Sequence, residues 1–405
     1  MTNTDWPDSD YEYFQSNSED WCREKSLRDC FCAIAMFKIV EISHYWKKNN
    51  PSQMGGMVPV LMENSMLLNF VLLLSTRLVL LGFNRRKTKT LQSYSVVPGL
   101  NLRNFTYNEL EDATNKFNEE LGSGASGTVY KGFLENENGK IVAVKKLDKM
   151  VREGEKEFKA EMSTISRTNH KNLVQLLGYC NDGEHRLLVY EFMSNGSLAS
   201  FLFQNLRPNW YRRIQIAFGT ARGLCYLHHE CSTQIIHCDI MPQNVLLDES
   251  FTAKISDFGL SKLLKIDQSR TTTGIRGTKG YVVPEWFRNM PTTIKVDVYS
   301  FGILLLELIC CRRNVEPNGE CEDEMTLSDW ACDCYGEGKL QLLVENDEEA
   351  KDDMKRFEKF VMIAIWCIQE DPSLRPTMKK VIQMFEGAVE VSVPPDPSSY
   401  MSSSI

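Results

Sequence analysis

The spacing of apolar residues along the chain changes twice. Residues 66–83 form a nearly continuous apolar run, and short alternating runs typical of strands follow it. After Ser197 the apolar residues mostly adopt the three-to-four-residue spacing of amphipathic helices. The pattern predicts strands at Leu121, 128–131, 141–145, 173–177 and 186–191, and helices at 155–166, 210–227, 296–310 and 357–368. We therefore expect an α+β fold, with a small sheet-rich lobe before a larger helical lobe.

The apolar run at 66–83 has the length of a short membrane span, since spanning helices need about 17 to 25 residues. Arg77 lies within it, at a cost of about 2.5 to 3.5 kcal/mol if it sits near the bilayer centre. A basic cluster follows at once, at 85–89, and such clusters remain on the cytoplasmic side. We predict a single transmembrane helix over 62–83 with the downstream chain in the cytoplasm. A buried core helix is the alternative.

Composition excludes several classes of protein. The chain has 405 residues, of which 42% are apolar and 25% are charged, so most of it is expected to fold. Its formal net charge of −8 disfavours binding to a phosphate backbone, and we expect no nucleic-acid partner. The cysteines from Cys180 to Cys367 show neither CxxC pairs nor metal-site spacing, which is typical of reduced thiols in a cytosolic domain.

Three glycines, Gly122, Gly124 and Gly127, fall between two predicted strands. Because glycine has no side chain, its backbone N–H groups can approach a polyphosphate closely. A simple glycine turn in a hairpin explains the same pattern. This motif alone leaves both interpretations open.

A lysine and a glutamate are predicted to meet in the small lobe. Alternation along the strand 141–145 places Lys145 on the same face as Ile141 and Ala143. Sixteen residues later, Glu161 lies on the apolar stripe of the predicted helix, where an unpaired carboxylate would be costly. Lys145 is its natural partner. A solvated Glu161 at the edge of the stripe is the alternative.

Five motifs then occur in one order along the chain. They are the glycine-rich loop, Val-Ala-Val-Lys145, His237-Cys-Asp239 with Asn244 five residues later, Asp257-Phe-Gly, and Val-Pro-Glu285. Their order and spacing resemble the protein kinase family. The resemblance implies a bilobal protein kinase fold, ATP and Mg²⁺ as cofactors, and phosphoryl transfer as the reaction.

The resemblance also implies a role for each matching residue. Asp239 would accept the proton of the substrate hydroxyl, Asn244 and Asp257 would hold Mg²⁺, and Lys145, braced by Glu161, would contact the α- and β-phosphates. The backbones of Glu191 and Met193 would bind adenine, with Tyr190 behind the pocket. Glu285 and Arg375 would form a buried salt bridge, and Asp297 would brace the catalytic loop. The loop that covers ATP would comprise Leu121, Gly122, Ser123, Gly124, Ala125, Ser126, Gly127, Thr128 and Val129.

Longer stretches narrow the resemblance. The stretches that begin at Phe105, Asn169, Glu191 and Gly277 are similar to plant receptor-like serine/threonine kinases, and the His237–Asn244 stretch is similar to their G-type lectin S-receptor-like branch. The resemblance implies serine or threonine residues of proteins as substrates, co-receptor kinases and the lipid bilayer as partners, and a location in the plasma membrane. The implied organisation is a remnant of a cysteine-rich ectodomain at 1–56, the span at 62–83, a juxtamembrane linker at 84–114, the kinase domain at 115–390 and a flexible tail at 391–405.

Two residues depart from the family pattern. Met241 stands where the family has a lysine that neutralises the γ-phosphate, and a thioether cannot do so. Cys238 stands where many kinases have the arginine that pairs with a phosphorylated activation loop. We expect ATP binding with slow transfer. A pseudokinase that binds ATP and acts as a scaffold, and a non-functional relic of a duplicated gene, are the alternatives.

Overall fold

A computed structural model describes residues 102–397 apart from short gaps. The gaps are 125–126, 136–138, 148–151, 167, 205, 265–279, 282, 288–289 and 316–324. The predicted ectodomain remnant at 1–56 and the predicted span at 62–83 lie outside the described residues. Among the residues that are described, no helix is both long enough and apolar enough to cross a bilayer.

The small lobe is built on a six-stranded sheet with the order β1-β5-β6-β4-β3-β2. Its strands are β1 (Arg103–Asn104), β2 (Glu120–Gly124), β3 (Gly127–Leu134), β4 (Lys140–Lys146), β5 (Leu176–Asp182) and β6 (His185–Glu191). Neighbouring strands are antiparallel except β1 and β5, which run parallel. The β-branched residues Val142, Val144 and Val189 are fully buried on the core face.

The segment before this sheet also folds onto the small lobe. Strand β1 extends the sheet, and helix α1 (Tyr107–Ala113) begins with a capping box in which Thr106 and Glu109 bond each other's backbone N–H. Phe105 and Leu110 are buried in the small-lobe core. Residues 103–113 fall within the predicted linker 84–114, so this part of it is a folded element of the lobe.

The large lobe is mainly helical. Its helices are α3 (Leu198–Leu202), α4 (Trp210–Cys225), which continues as the π-helix Tyr226–Glu230, α5 (Pro284–Phe287), α6 (Lys295–Cys310), α7 (Leu327–Gly336), α8 (Glu348–Lys351), α9 (Met354–Cys367) and α10 (Met378–Glu386), with 3₁₀ turns at Pro242–Asn244 and Leu340–Val344. Almost every residue of α6 is buried, and α6 packs against α4 and α9. It is therefore the central helix of this lobe.

The large lobe also contains two pairs of short strands. Strand β7 (Gln234–Ile236) pairs with β10 (Lys262–Leu264), and β8 (Val245–Leu247) pairs with β9 (Ala253–Ile255). The loops that leave β7 and β9 carry the His-x-Asp and Asp-Phe-Gly motifs. These small ladders therefore position the predicted catalytic residues.

The order of the two lobes is confirmed, while one predicted strand is wrong. The strand expected at 173–177 instead begins at Leu176 and ends at Asp182. Leu173 makes only an isolated parallel bridge to Ile255 of the large lobe. Its apolar side chain is buried in a core cluster that contains residues of both lobes.

The start of the predicted flexible tail, 391–405, is bound to the large lobe. Trp366 Nε1 donates a hydrogen bond to the carbonyl of Ser392 at 2.9 Å, and Gln369 Nε2 donates one to the carbonyl of Pro395 at 2.9 Å. Pro394 is buried. Residues 391–396 therefore form an extended segment along α9.

Candidate active site

The lysine of β4 lies between two carboxylates. Lys145 Nζ is 3.0 Å from Glu161 Oε2 on α2 (Arg152–Ile165) and 2.8 Å from Asp257 Oδ1 in the large lobe. The side chains of Lys145 and Glu161 are 8% and 1% exposed, whereas that of Asp257 is 34% exposed. The predicted pair of Lys145 and Glu161 is therefore present, and the solvated alternative for Glu161 is wrong.

Electrostatics keep this cluster charged. Burial by itself disfavours the charged amine, but the carboxylates of Glu161 and Asp257 outweigh burial and raise the pKa of Lys145 above its ordinary value. Burial would likewise raise the pKa of Asp257, but Lys145 outweighs it and holds that pKa below its usual range. At neutral pH the site therefore contains a lysine ammonium and an ionised Asp257.

A tyrosine completes the environment of Glu161. Tyr190 Oη donates a hydrogen bond of 2.5 Å to Glu161 Oε1, so each carboxylate oxygen has its own partner. Burial, reinforced by the charge of Glu161, raises the pKa of Tyr190 well above its ordinary value and keeps it a donor. The family resemblance implied that Tyr190 lies behind the adenine site, but the sequence did not reveal this contact because the two residues are 29 positions apart along the chain.

The predicted base and the predicted metal ligand Asn244 are adjacent in the catalytic loop. Asn244 Nδ2 donates hydrogen bonds to Asp239 Oδ2 at 2.8 Å and to the Asp239 carbonyl at 2.9 Å. These bonds hold the Asp239 carboxylate in one orientation. They also use the amide N–H groups of Asn244, so its Oδ1 is the atom that it can offer to a cation.

A buried aspartate supports the catalytic loop from below, as the resemblance implied. Asp297 accepts hydrogen bonds from the backbone N–H groups of His237 and Cys238, each at 2.8 Å. Cys238 has a φ of 69°, a region that non-glycine residues rarely adopt. These hydrogen bonds stabilise that conformation and so define the position of Asp239.

Two histidines form hydrogen bonds around the catalytic loop that the sequence motif did not predict. His228 Nε2 donates a hydrogen bond to Asp297 at 2.8 Å. His237 Nε2 lies 2.9 Å from the carbonyl of Ser256, which can only accept, while its Nδ1 accepts from the N–H of Asp239 at 3.3 Å. His237 is therefore the neutral Nε2–H tautomer. It links the catalytic loop to the residue before Asp257.

The glycine-rich loop forms the hairpin of β2 and β3. Gly127 has a φ of 130°, and a Cβ there would lie 2.2 Å from the Lys146 carbonyl, so the hairpin itself requires this glycine. At Gly122 and Gly124, no heavy atom of the described residues beyond the chain neighbours lies within 4 Å of the position of a Cβ. Their lack of a side chain leaves open space beside the strand, which suits close approach of a ligand. Of the predicted loop, Ala125 and Ser126 lie outside the described residues, and Leu121, Ser123, Thr128 and Val129 lie on the two strands.

The segment that joins the lobes follows β6. The N–H of Glu191 donates to the carbonyl of Gln175 at 3.1 Å, and the carbonyl of Met193 accepts from the N–H of Gly196 at 3.3 Å. The other backbone groups of these two residues are the Glu191 carbonyl, which is an acceptor, and the Met193 N–H, which is a donor. Such a pair matches the edge of an adenine ring.

Divalent-metal binding can be tested against the donor set. In the described part of the chain, no three His, Cys, Asp or Glu side chains form a cluster that could hold a metal by itself. Mg²⁺ is usually bound by one or two protein oxygens together with substrate phosphates. The Asn244 amide oxygen and the Asp257 carboxylate are donors of this kind, and they fit a metal that is carried by a nucleotide.

A second predicted ion pair is present farther from the cleft. Arg375 donates two parallel hydrogen bonds to Glu285, at 2.6 and 2.8 Å. Their side chains are 0% and 2% exposed. Glu285 lies on α5, so this pair fixes α5 to the segment before α10 (Met378–Glu386).

Comparisons with known proteins agree with this geometry. The sequence profile of the protein kinase domain matches residues 115–385. The chain is 50% identical over 445 residues to the G-type lectin S-receptor-like serine/threonine-protein kinase LECRK4 of Oryza sativa subsp. japonica, an alignment that covers 100% of this chain and 54% of the relative. It is 45% identical over 445 residues to the G-type lectin S-receptor-like serine/threonine-protein kinase RLK1 of Arabidopsis thaliana, covering 99% of this chain and 53% of the relative. The chain thus spans about half the length of the curated relatives it matches.

Proposed function

Because the chain belongs to the protein kinase family, we propose that it transfers the γ-phosphate of ATP to serine and threonine hydroxyls of protein substrates. The proposal rests on one observation, namely that Lys145 contacts both Glu161 and Asp257. In this arrangement the lysine that would bind the phosphates and the aspartate that would hold the metal are already adjacent. Nucleotide binding then requires no rearrangement of these three residues.

Each residue has a defined task in this proposal. Lys145 Nζ donates to the α- and β-phosphates, while the backbone of Glu191 and Met193 binds adenine. The Asp239 carboxylate, oriented by Asn244, accepts the proton of the substrate hydroxyl as that oxygen attacks phosphorus. Asn244 and Asp257 hold Mg²⁺, which neutralises phosphate charge. The glycine-rich loop, Leu121 to Val129, covers the phosphates.

We further propose that the kinase is anchored in the plasma membrane. The predicted helix at 62–83, which contains the apolar run, would span the bilayer once, and the basic residues after it would keep the kinase domain at 115–390 in the cytoplasm. Residues 1–56 would be the remnant of a cysteine-rich ectodomain. The names of the relatives, which call them receptor-like, support this organisation. Co-receptor kinases are the partners expected for such a protein.

Met241 favours a second candidate function, that of a scaffold which binds ATP without transferring phosphate. The loss of one preorganised donor to the transition state costs about 10²- to 10³-fold in rate. Met241 lies between Asp239 and the 3₁₀ turn that begins at Pro242, with its side chain partly exposed, and packing of the lobe does not depend on it. A lysine is therefore expected to be tolerated at this position.

One experiment separates the two candidates. ATP binding and phosphate transfer to a generic protein substrate would be measured with Mg²⁺ for the full chain, for Met241→Lys and for Asp239→Asn. We expect slow transfer that increases about 10²- to 10³-fold in Met241→Lys and falls about 10²- to 10⁴-fold in Asp239→Asn.

The other outcomes are equally informative. Binding without transfer in the natural chain, with transfer restored by Met241→Lys, would identify a scaffold. Equal rates for Met241 and Met241→Lys would contradict the expected role of this position. Transfer that survives in Asp239→Asn would contradict the assignment of Asp239 as the base.

A further inference from the structure

The two lobes meet at a second junction besides the covalent connection after β6. Residues 172–175, which precede β5, lie against β9 of the large lobe. Val174 N–H donates to the Ile255 carbonyl at 3.0 Å, and Ile255 N–H donates to the Asn172 carbonyl at 2.9 Å. Through these bonds Leu173 forms a parallel bridge with Ile255 at the end of β9. The lobes are therefore held together both at this junction and at the covalent connection after β6.

One carboxylate joins the two junctions. Glu191 Oε1 accepts a hydrogen bond from the backbone N–H of Gln175 at 2.8 Å and another from Lys254 Nζ at 2.9 Å. The side chains of Glu191 and Lys254 are 25% and 14% exposed, so both are largely removed from solvent. Glu191 is the last residue of β6, where the connecting segment begins, whereas Gln175 belongs to the second junction and Lys254 to β9. A single oxygen thus links three segments of the chain.

Lys254 lies close in sequence to the proposed nucleotide site. Strand β9 contains Lys254 and ends at Ile255, and Asp257 follows two residues later with its contact to Lys145. The short segment 254–257 therefore reaches the connecting segment at one end and the proposed metal and phosphate groups at the other.

We propose that Lys254 is a positioning residue for nucleotide binding, which acts through Glu191. This inference rests on the proposed function, in which the Glu191 carbonyl accepts from adenine. Without Lys254 the largely buried carboxylate would lose its only charged partner in the described part of the chain, and it would have to turn toward water. Because side chain and carbonyl belong to the same residue, that movement displaces the group that binds adenine. A displaced acceptor makes a weaker hydrogen bond to adenine, so nucleotide affinity should fall.

The test compares Lys254→Met with the natural chain, using the full protein and a non-hydrolysable ATP analogue with Mg²⁺. We expect the Kd of the analogue and the KM for ATP to rise about 3- to 10-fold, the size of one net hydrogen bond. The KM for a protein substrate should stay unchanged, and kcat should change less than about twofold. Lys254→Arg, which keeps the charge and a donor, should restore most of the affinity.

Two further variants guard against a purely structural explanation. Lys351→Met removes a lysine whose partner Glu348 is exposed, and it should leave nucleotide affinity unchanged. Glu191→Gln keeps an oxygen that can accept from Gln175. Added to Lys254→Met, it should weaken nucleotide binding less than it does alone, because the two residues act as a unit.

The result that would overturn the proposal is nucleotide affinity in Lys254→Met equal to that of the natural chain. A fall in melting temperature with unchanged affinity, or a fall in kcat with unchanged KM for ATP, would assign Lys254 a different role and would also overturn it. Analogue binding is measured without phosphate transfer, so a slow kinase does not obscure the result. If the natural chain bound no analogue, the proposed function would fail as well, and the two failures are thereby distinguished.

Discussion

Two buried ion pairs of this molecule differ in how many partners their cations have. Arg375 donates both hydrogen bonds of a fork to Glu285, and its remaining N–H groups bond the carbonyls of Gln369, Lys295 and Glu370. All five donors of the guanidinium are used. Such a saturated cation has nothing left for a ligand, and its role is to hold the large lobe together.

The cation of the cleft is unsaturated by comparison. Lys145 has three N–H donors, and within the described residues two of them contact Glu161 and Asp257. One donor remains for a phosphate oxygen, and the partly exposed Asp257 leaves an oxygen for a metal. A buried charge with unused hydrogen-bonding capacity suits the ligand binding that we propose for Lys145, while a fully bonded buried charge such as Arg375 stabilises the fold.

The largest effect that would sharpen this comparison is expected at Arg375. In Arg375→Met the Glu285 carboxylate remains buried without its partner, and the free energy of unfolding should fall by about 3 to 5 kcal/mol. Arg375→Lys should recover only part of this loss, because an ammonium cannot supply the planar fork. Urea unfolding of the full chain, followed by fluorescence, measures both variants.

The control for Arg375 is Lys351→Met, which breaks an exposed pair and should leave unfolding unchanged. Protein that remains folded in Arg375→Met should bind ATP with normal affinity, because the pair does not contact the cleft. An Arg375→Met variant as stable as the natural chain would break the comparison.

The sequence predicts those parts of the site that depend on local periodicity. Strand alternation located Lys145, and helical spacing put Glu161 on a buried stripe, so their pairing could be expected before the fold was known. The contact of Lys145 with Asp257 could not be predicted in this way, because the two residues are 112 positions apart and belong to different lobes. The family resemblance implied that both residues serve the nucleotide, one at its phosphates and the other at Mg²⁺, but it did not predict their direct contact.

Element boundaries were predicted less well where a partner from elsewhere decides them. Leu173 belongs to a run with the alternation of a strand, yet its backbone pairs with Ile255 and not with the small-lobe sheet. Residues 103–104 have the polar composition of a linker but pair with β5. In both cases the hydrogen-bond partner is distant in sequence, and local pattern contains no signal of it.

An intermediate effect is expected at Tyr190, which supports Glu161 from the side opposite Lys145. Tyr190→Phe removes a hydrogen bond to a charged group, so unfolding free energy should fall by about 1.5 to 3 kcal/mol. The transfer rate should fall less than tenfold, because Lys145 still holds Glu161 through its other oxygen.

Tyr226→Phe is the matched control for Tyr190→Phe. Its hydroxyl accepts a hydrogen bond from the backbone N–H of Asn169, outside the cleft. Stability should therefore decrease in both variants, but the transfer rate only in Tyr190→Phe. Equal rates in the natural chain and Tyr190→Phe would show that Glu161 needs no second partner, and the distinction between saturated and unsaturated charges would lose its basis at this residue.

The smallest effect is expected at His170, which lies two residues before the second junction and stacks on Tyr226 with ring centroids 4.8 Å apart. Burial lowers the pKa of His170 below its ordinary value of 6.5, an effect that Glu230 partly opposes. The unfolded chain then binds a proton more readily than the folded chain. Stability from this residue is therefore complete above pH 6.5 and decreases as the pH falls below it.

A comparison at two pH values tests His170. Urea unfolding at pH 7.5 and pH 5.5 should show a loss of stability on acidification in the natural chain, and a smaller loss in His170→Phe, which keeps a stacked ring but cannot take up a proton. Lys145 and Asp257 do not contribute in this range, because the pKa of the lysine is raised and that of the aspartate is lowered, away from neutral pH. An equal loss in both proteins would mean that the acid sensitivity arises elsewhere in the molecule and not from His170.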